Sequence, residues 1–347
     1  MVEPYTDQWL QPVIARSPYE IKTTEMNVGG DPLRVVTSGY PETQGDTLRE
    51  KYRFAQERLD QIRRALFLEP RGHQDMWGAI TVEPDDKDAD IAAFYLNANG
   101  YSPMCGHASI GLARFAVDAG LVKATSHETS VNIQLPCGLV RTHVEYDSET
   151  KASGRTHFTS IPSFLYEQDL EVNIPRIGKV VVDVSFGGIF FAITSSSQLG
   201  IDVCDSSIQD IKYVGVSITK ATNDAIRVEH PTCQGTNLIS GTIITDGKDS
   251  QDADSTTNIC VYSSQGLIAR APCGSGVVAR VALQVQKRLT DLNQPMTFKS
   301  RYGSSFVVEK TNVEGIEAVR IEVSGQGHYI GRNTFFSEEN DEMGKVS

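Results

Sequence analysis

Two cysteines stand in matching surroundings about half the chain apart. Cys105 lies in Ser102-Pro103-Met104-Cys105-Gly106-His107, and Cys273 in Ala271-Pro272-Cys273-Gly274-Ser275-Gly276. Each opens a run that is apolar nearly all round: Ala108, Ile110, Leu112, Ala113, Phe115, Ala116 and Val117 in one, Val277, Val278, Ala279, Val281, Ala282, Leu283 and Val285 in the other. Such runs predict buried helices, with the cysteines at their N-termini. A helix N-terminus offers unpaired N–H groups and partial positive charge, which favour a thiolate and can also hold a carboxylate. Gly106, Gly274 and Gly276 are expected to let a ligand approach the backbone closely. Two such turns, one from each half, suit a two-base proton transfer. One thiolate takes a proton from carbon, and the opposing thiol delivers one to the other face. For a lone cysteine the ordinary reading is a buried structural residue; the matched pair of turns favours chemistry. Cys137, Cys204, Cys233 and Cys260 lie in strand-like or loop contexts and are expected to be structural.

Other chemistries find little support. No cysteines form a CxxC pair, so neither a zinc ribbon nor a thioredoxin-type site is expected. Asp85, Asp86, Asp88 and Asp90 lack the glycine and closing glutamate of a calcium loop and read as a solvated turn. No metal site is expected. Cys273–Gly276 contains only G-x-G, weak for a dinucleotide or a phosphate. His73 reads as structural.

The elements that must position the thiols repeat in each half. After a polar arm over residues 1–20, Gly29-Gly30-Asp31-Pro32 is a turn leading into the apolar run Leu33–Val36. Thr47–Leu66 carries Leu48, Tyr52, Ala55, Leu59, Ile62 and Leu66 at helical spacing. Residues 76–84 and 90–101 read as strands flanking the acidic turn, and Gly120 stops the first buried helix. In the second half, strands at 179–194, 237–245 and 258–270 precede the second buried helix, which ends near Lys287 and Arg288. The Ser/Asp-rich segment Gly247–Thr257 is expected to be a solvated loop.

With 347 residues, 39% hydrophobic and 22% charged, the chain has the material for about two domains. The net charge of −12, with no basic run, argues against nucleic acid as a partner. No apolar run reaches the ~18 residues of a membrane span, and no secretory leader is evident, so a cytoplasmic protein with reduced thiols is expected.

At residues 25–36, 68–80, 97–120, 135–140, 271–282 and 321–335 the sequence resembles the proline racemase and hydroxyproline epimerase/dehydratase family, within the diaminopimelate epimerase-like fold. The Met104-Cys105-Gly106-His107 and Pro272-Cys273-Gly274-Ser275-Gly276 blocks are the most specific. The resemblance implies an α/β protein of two pseudo-symmetric domains, each a barrel-like set of strands around a central helix. One domain would span 21–163 plus 322–347 and carry Cys105; the other would span 164–321 and carry Cys273. It further implies no cofactor, a small carboxylate-type substrate, a possible homodimer, catalysis by Cys105 and Cys273, and substrate contacts from Gly106, His107, Gly274, Ser275 and Gly276.

Residues 53–80 look especially like the eukaryotic 3-hydroxyproline dehydratase branch, which has Thr where this chain has Cys273. The family's Asp-Arg-Ser-Pro, whose Asp holds the substrate ammonium, is here Ala269-Arg270-Ala271-Pro272, and a family His is replaced by Asn27. The expectation is a cofactor-independent racemase or epimerase whose substrate is not necessarily proline. The alternatives are a hydroxyproline dehydratase or a catalytically silent binding protein.

Overall fold

The computed structural model describes residue 17 and residues 19–231, 237–249, 255–262, 266–290, 295–312 and 318–338. Most of the arm expected at 1–20, and Cys233, lie outside the described residues. Two copies of one strand pattern make up the fold. In the first half, Glu20–Val28 forms a hairpin with Asp31–Ser38, which runs parallel to Trp77–Val82. The sheet continues antiparallel to Ile91–Asn97, parallel to His127–Leu135, then antiparallel through Gly138–Asp147 and Ala152–Thr159. In the second half, Gly178–Phe186 and Phe190–Ser195 form the hairpin, and Ile239–Thr245 lies parallel to it. Thr256–Tyr262 follows antiparallel, Met296–Lys299 parallel, and Ser305–Asn312 and Val319–Gly325 antiparallel.

Each half adds one more strand outside its hairpin: Phe164–Ile174 on Gly178–Phe186, and Gly327–Phe336 on Glu20–Val28. The chain's last strand thus returns to its first. The halves are stitched along one seam, where Val319–Gly325 pairs with Ala152–Thr159. Both hairpins lead to a strand parallel to their second member, so a crossover is required in each. In the first half it is made by helices α1 (Leu48–Arg58) and α2 (Asp60–Phe67). α3 (Gly106–Asp118) is the central helix of that half; α4 (Ile208–Ala225) makes the crossover of the second half, whose central helix is α5 (Gly274–Gln286).

The single helix expected over Thr47–Leu66 is two. Leu59 leaves helical geometry at φ −123° and ψ 10°, after its N–H has closed α1 on the Ala55 carbonyl. The break lets Ile62, Leu66 and Phe67 turn onto the sheet beside Ile80, Phe94 and Leu96. A reciprocal capping box between Thr47 and Glu50 starts α1.

The two central helices are buried as their apolar runs demanded, and share one core with Val28, Leu33, Tyr95, Ile133, Phe158 and Phe306. Among their buried polar residues, one is a full charge. Arg280 of α5 has no exposed surface and is held by Asp249 at 2.7 Å, Asp246 at 3.4 Å and the Thr256 hydroxyl at 2.6 Å. A buried guanidinium is tolerable only with its partners in place. The described acids bounding the 247–257 segment therefore turn inward, where a fully solvated loop was expected; 250–254 lie outside the described residues. Among the described residues no helix is long and apolar enough to cross a membrane.

Candidate active site

The N-termini of α3 and α5 abut. A Cβ placed on Gly106 would lie 2.7 Å from the Gly274 Cα, and one on Gly274 would lie 2.8 Å from the Gly106 Cα. Any side chain at either position would drive backbone into backbone. These two glycines therefore allow the contact between the helices, a role their sequence context did not suggest. Cys105 and Cys273 are the N-cap residues of the two helices, each only 3% exposed. Cys105 is extended at φ −152°, whereas Cys273 sits in the left-handed region at φ 66°. That conformation costs a non-glycine residue roughly 1–3 kcal/mol and persists where surrounding contacts enforce it, commonly at functional sites.

The two thiols meet opposite surroundings. Burial pushes Cys105 well above its ordinary range, and the negative charge of Asp31 and the neighbouring Cys273 add to this; the N–H groups of Ala108 and His107 oppose it without prevailing. His107 Nδ1 lies 3.3 Å from the Cys105 sulfur and 3.6 Å from Asp31 Oδ2. Asp31 is 1% exposed, and both its oxygens accept backbone hydrogen bonds, from Arg270 N–H at 2.7 Å and Ala271 N–H at 3.1 Å. Burial raises its carboxyl above the usual range, against His107 and those two N–H donors. Burial likewise lowers His107, which favours a neutral imidazole. The Gly29–Gly30 turn, with φ of 62° and 98°, brings Asp31 against the second half. A first-half carboxylate thus fixes the loop that leads into Cys273.

Cys273 is held below its ordinary range. The Cys260 thiol is the largest influence, and burial is outweighed once the Tyr262 hydroxyl, the Gly276 N–H and the Ser275 hydroxyl are added. The Tyr262 oxygen is 3.4 Å and the Ser275 oxygen 3.8 Å from the sulfur. Burial pushes Tyr262 well above the ordinary phenol range, so its O–H stays available as a donor. Gly276 leaves room for the sulfur, since a Cβ there would approach Sγ to 3.0 Å and Ile243 Cδ1 to 2.4 Å. Of the two thiols, Cys273 is the readier to lose its proton and Cys105 the readier to keep it.

Trp77 bridges the two sides, 5.4 Å from the His107 ring and 5.7 Å from the Tyr262 ring. Trp77 and Tyr262 also line a cavity of about 440 Å³ between the halves, with Asn99, Pro103, Ile189 and Leu267 among its other walls. Ala269 is 5% exposed in an apolar cluster with Ile189, Phe191, Ile243, Cys260 and Cys273. No charge faces inward from that position. Asn27 is exposed and caps the glycine turn by accepting the Gly30 N–H at 2.9 Å.

Sequence reasoning missed Asp31, Trp77 and Tyr262, and took Cys260 as merely structural. Asp31 was visible only as part of a turn; Tyr262 and Cys260 sit on a strand whose register alone brings them to Cys273. The acidic turn is occupied as a set of caps: Asp85 accepts the Leu48 N–H at 2.7 Å and Asp90 the Asn132 N–H at 2.7 Å. His73 accepts the Asp75 N–H through Nδ1 at 3.2 Å.

Comparison with known proteins gives the family and the fold. A trans-L-3-hydroxyproline dehydratase of Saccoglossus kowalevskii is 45% identical over 322 residues, covering 92% of this chain and 98% of the relative. A proline racemase of Acetoanaerobium sticklandii is 32% identical over 327 residues, covering 93% and 96%. The crystal structure of a hydroxyproline epimerase from Agrobacterium vitis superposes with a TM-score of 0.84 at 22% identity, covering 94% of each chain, and so shares the fold. With residues 24–345 matching the proline racemase family and a thiol at the head of each central helix, the chain belongs to that family of enzymes.

Proposed function

We propose that the chain is a cofactor-independent dehydratase of a small β-hydroxycarboxylate. The observation that carries this reading is the opposed poise of two thiols at abutting helix N-termini. The Cys273 thiolate takes the proton from Cα, and the electron pair moves into the carboxylate as an enolate. Helix N–H groups and the N-terminal partial charge stabilise that developing charge. Collapse of the enolate forms the Cα–Cβ double bond and breaks the Cβ–O bond. The Cys105 thiol gives its proton to the departing hydroxyl, which leaves as water. One turnover ends with the proton on Cys273 and the charge on Cys105, and His107 stands beside Cys105 to help return the proton.

Dehydration is favoured over the inversion expected from the sequence by the identity with relatives named as dehydratases, 45% in Saccoglossus kowalevskii against 32% for the racemase. Inversion remains the second reading, supported by Cys273 itself, which stands where the dehydratase branch resembled here has Thr. In it, Cys105 delivers its proton to the opposite face of Cα. The apolar wall at Ala269 favours a substrate without a cationic amine at that point, which makes hydroxyprolines weak substrates.

The test is incubation in D2O with trans-3-hydroxy-L-proline, trans-4-hydroxy-L-proline, L-proline and amine-free 3-hydroxycarboxylates, followed by proton NMR. Loss of the carbinol signal with water release supports the dehydratase. Cα deuteration with inversion and no water loss supports the second reading. Neither change with any of these would remove the catalytic proposal and leave a binding protein.

A further inference from the structure

On an outer face of the first half, far from any role in the thiol chemistry, two histidines and a glutamate converge. His143 and His157 are register partners on adjacent strands, and their rings stack with centroids 4.9 Å apart and planes 23° from parallel. Glu128, on the next strand, reaches both: Oε2 lies 3.3 Å from His143 Nδ1, and Oε1 lies 3.7 Å from His157 Nε2. One donor atom from each of the three falls within 4.8 Å of the others. A fourth, Glu322 Oε1, is 4.0 Å from His157 Nε2 and comes from the strand of the second half that forms the seam.

We propose that Glu128, His143 and His157, with Glu322 closing the set, bind a borderline divalent transition ion of the zinc class. The donor types fit: imidazole with carboxylate suits zinc, cobalt, nickel and copper, whereas magnesium and calcium prefer all-oxygen shells. So do the separations. Four ligands about 2.0–2.1 Å from a tetrahedral ion stand about 3.3–3.4 Å from one another, a spacing His143 to Glu128 already meets at 3.3 Å; the other donors must close in, and the stacked imidazoles must turn so that their ring nitrogens converge on the ion. The donors sit on strand backbone, and the Ser130 hydroxyl lies 3.1 Å from His143 Nδ1, where it can shift to the Glu128 carboxylate when an ion takes the nitrogen. Because Glu322 belongs to the other half, a bound ion would clamp the seam that joins them.

The test uses the full chain with zinc and, as a spectroscopic probe, cobalt(II). Calorimetry should show one zinc ion bound per chain, with magnesium not competing. The cobalt complex should show visible d–d bands without the near-ultraviolet thiolate charge-transfer band, which separates this site from the cysteines. His143→Gln and His157→Gln should each weaken zinc binding by more than about tenfold, and Glu322→Gln should reduce the zinc-dependent rise in melting temperature. Both histidines are partly solvent-exposed, so folding of these variants, checked by circular dichroism, is expected to be unchanged. Absence of zinc binding, binding unaltered by the histidine variants, or a thiolate band in the cobalt spectrum would overturn the proposal.

Discussion

Replacing Gly106 by alanine tests the claim that the site depends on contact between two helix ends. The new Cβ would meet the Gly274 Cα at 2.7 Å and its carbonyl carbon at 3.2 Å, with Phe158 Cζ also at 3.2 Å. Ordinary carbon–carbon contact is about 3.5–4.0 Å, so the helix ends must part by roughly 1 Å. No rotamer change relieves the clash, because the atoms struck are backbone. Overpacking of this kind costs about 1–3 kcal/mol, offset by the roughly 0.5–1 kcal/mol that alanine gains over glycine in a helix. Stability should therefore fall by only about 0–2.5 kcal/mol, while activity falls much further. A displacement near 1 Å between reacting groups can cost about a hundredfold in rate. The assay pairs urea unfolding with turnover on whichever substrate the NMR screen identifies. Gly106→Ala and Gly274→Ala should each remain folded and lose about a hundredfold in kcat. Wild-type kcat in either variant, with an unshifted unfolding midpoint, would refute the argument.

Cys105→Ser and Cys273→Ser should each reduce turnover by about a hundred- to ten-thousandfold, since a hydroxyl is a far weaker acid than a thiol. Dehydration retained in Cys273→Ser would show that a hydroxyl suffices there, as the Thr of the dehydratase branch resembled implies, and would sink the two-thiol mechanism, as would a comparable rate in Cys105→Ser. Alkylation followed by peptide mass spectrometry should label Cys273 before Cys105 as pH rises. The Cys273 thiolate forms below the ordinary thiol range and the Cys105 thiolate above it, so the reverse order would contradict the assignment of base and acid. Ala269→Asp should improve hydroxyproline binding by about ten- to a hundredfold, the roughly 1.5–3 kcal/mol of a hydrogen bond to a charged group. Unchanged or efficient wild-type binding would show that another group already supplies the counter-charge. Asp31→Asn keeps the shape but loses the charge and at least one of two backbone hydrogen bonds, and should lower kcat; a KM effect alone would mean that it does not position Cys273.

Much of this molecule is legible in its primary structure because the signals are local. The apolar runs after Cys105 and Cys273 can be helices only if buried, and a cysteine just before such a run is at a helix N-terminus wherever the helix goes. The second run's Arg280 was legible as a residue but not as a buried ion: its partners come from a segment 24 to 34 positions away in sequence. The division of Thr47–Leu66 at Leu59 was hidden because helical spacing continues across the break, and only the sheet beneath decides where the second helix must turn. That Gly106 and Gly274 let the two helix ends abut was not legible, because a sequence shows that a side chain is missing without showing what takes its place.

The order of elements, the paired cysteines and the family membership follow from the sequence, since each rests on residues close together along the chain. Tertiary structure alone decided which thiol gives up its proton more readily. Cys105 and Cys273 have nearly the same local context, a cap followed by glycine, and in isolation both would be lowered by a helix dipole. Cys105 is instead raised by burial and by Asp31, which arrives from a turn 74 positions earlier and is anchored on Arg270 and Ala271 of the other half. Cys273 is lowered by Cys260 and Tyr262, side chains two residues apart on one strand and therefore on one face of it. Desolvation and hydrogen bonding to sulfur depend on what surrounds an atom in space, and two halves with similar sequence motifs pack different neighbours around each thiol.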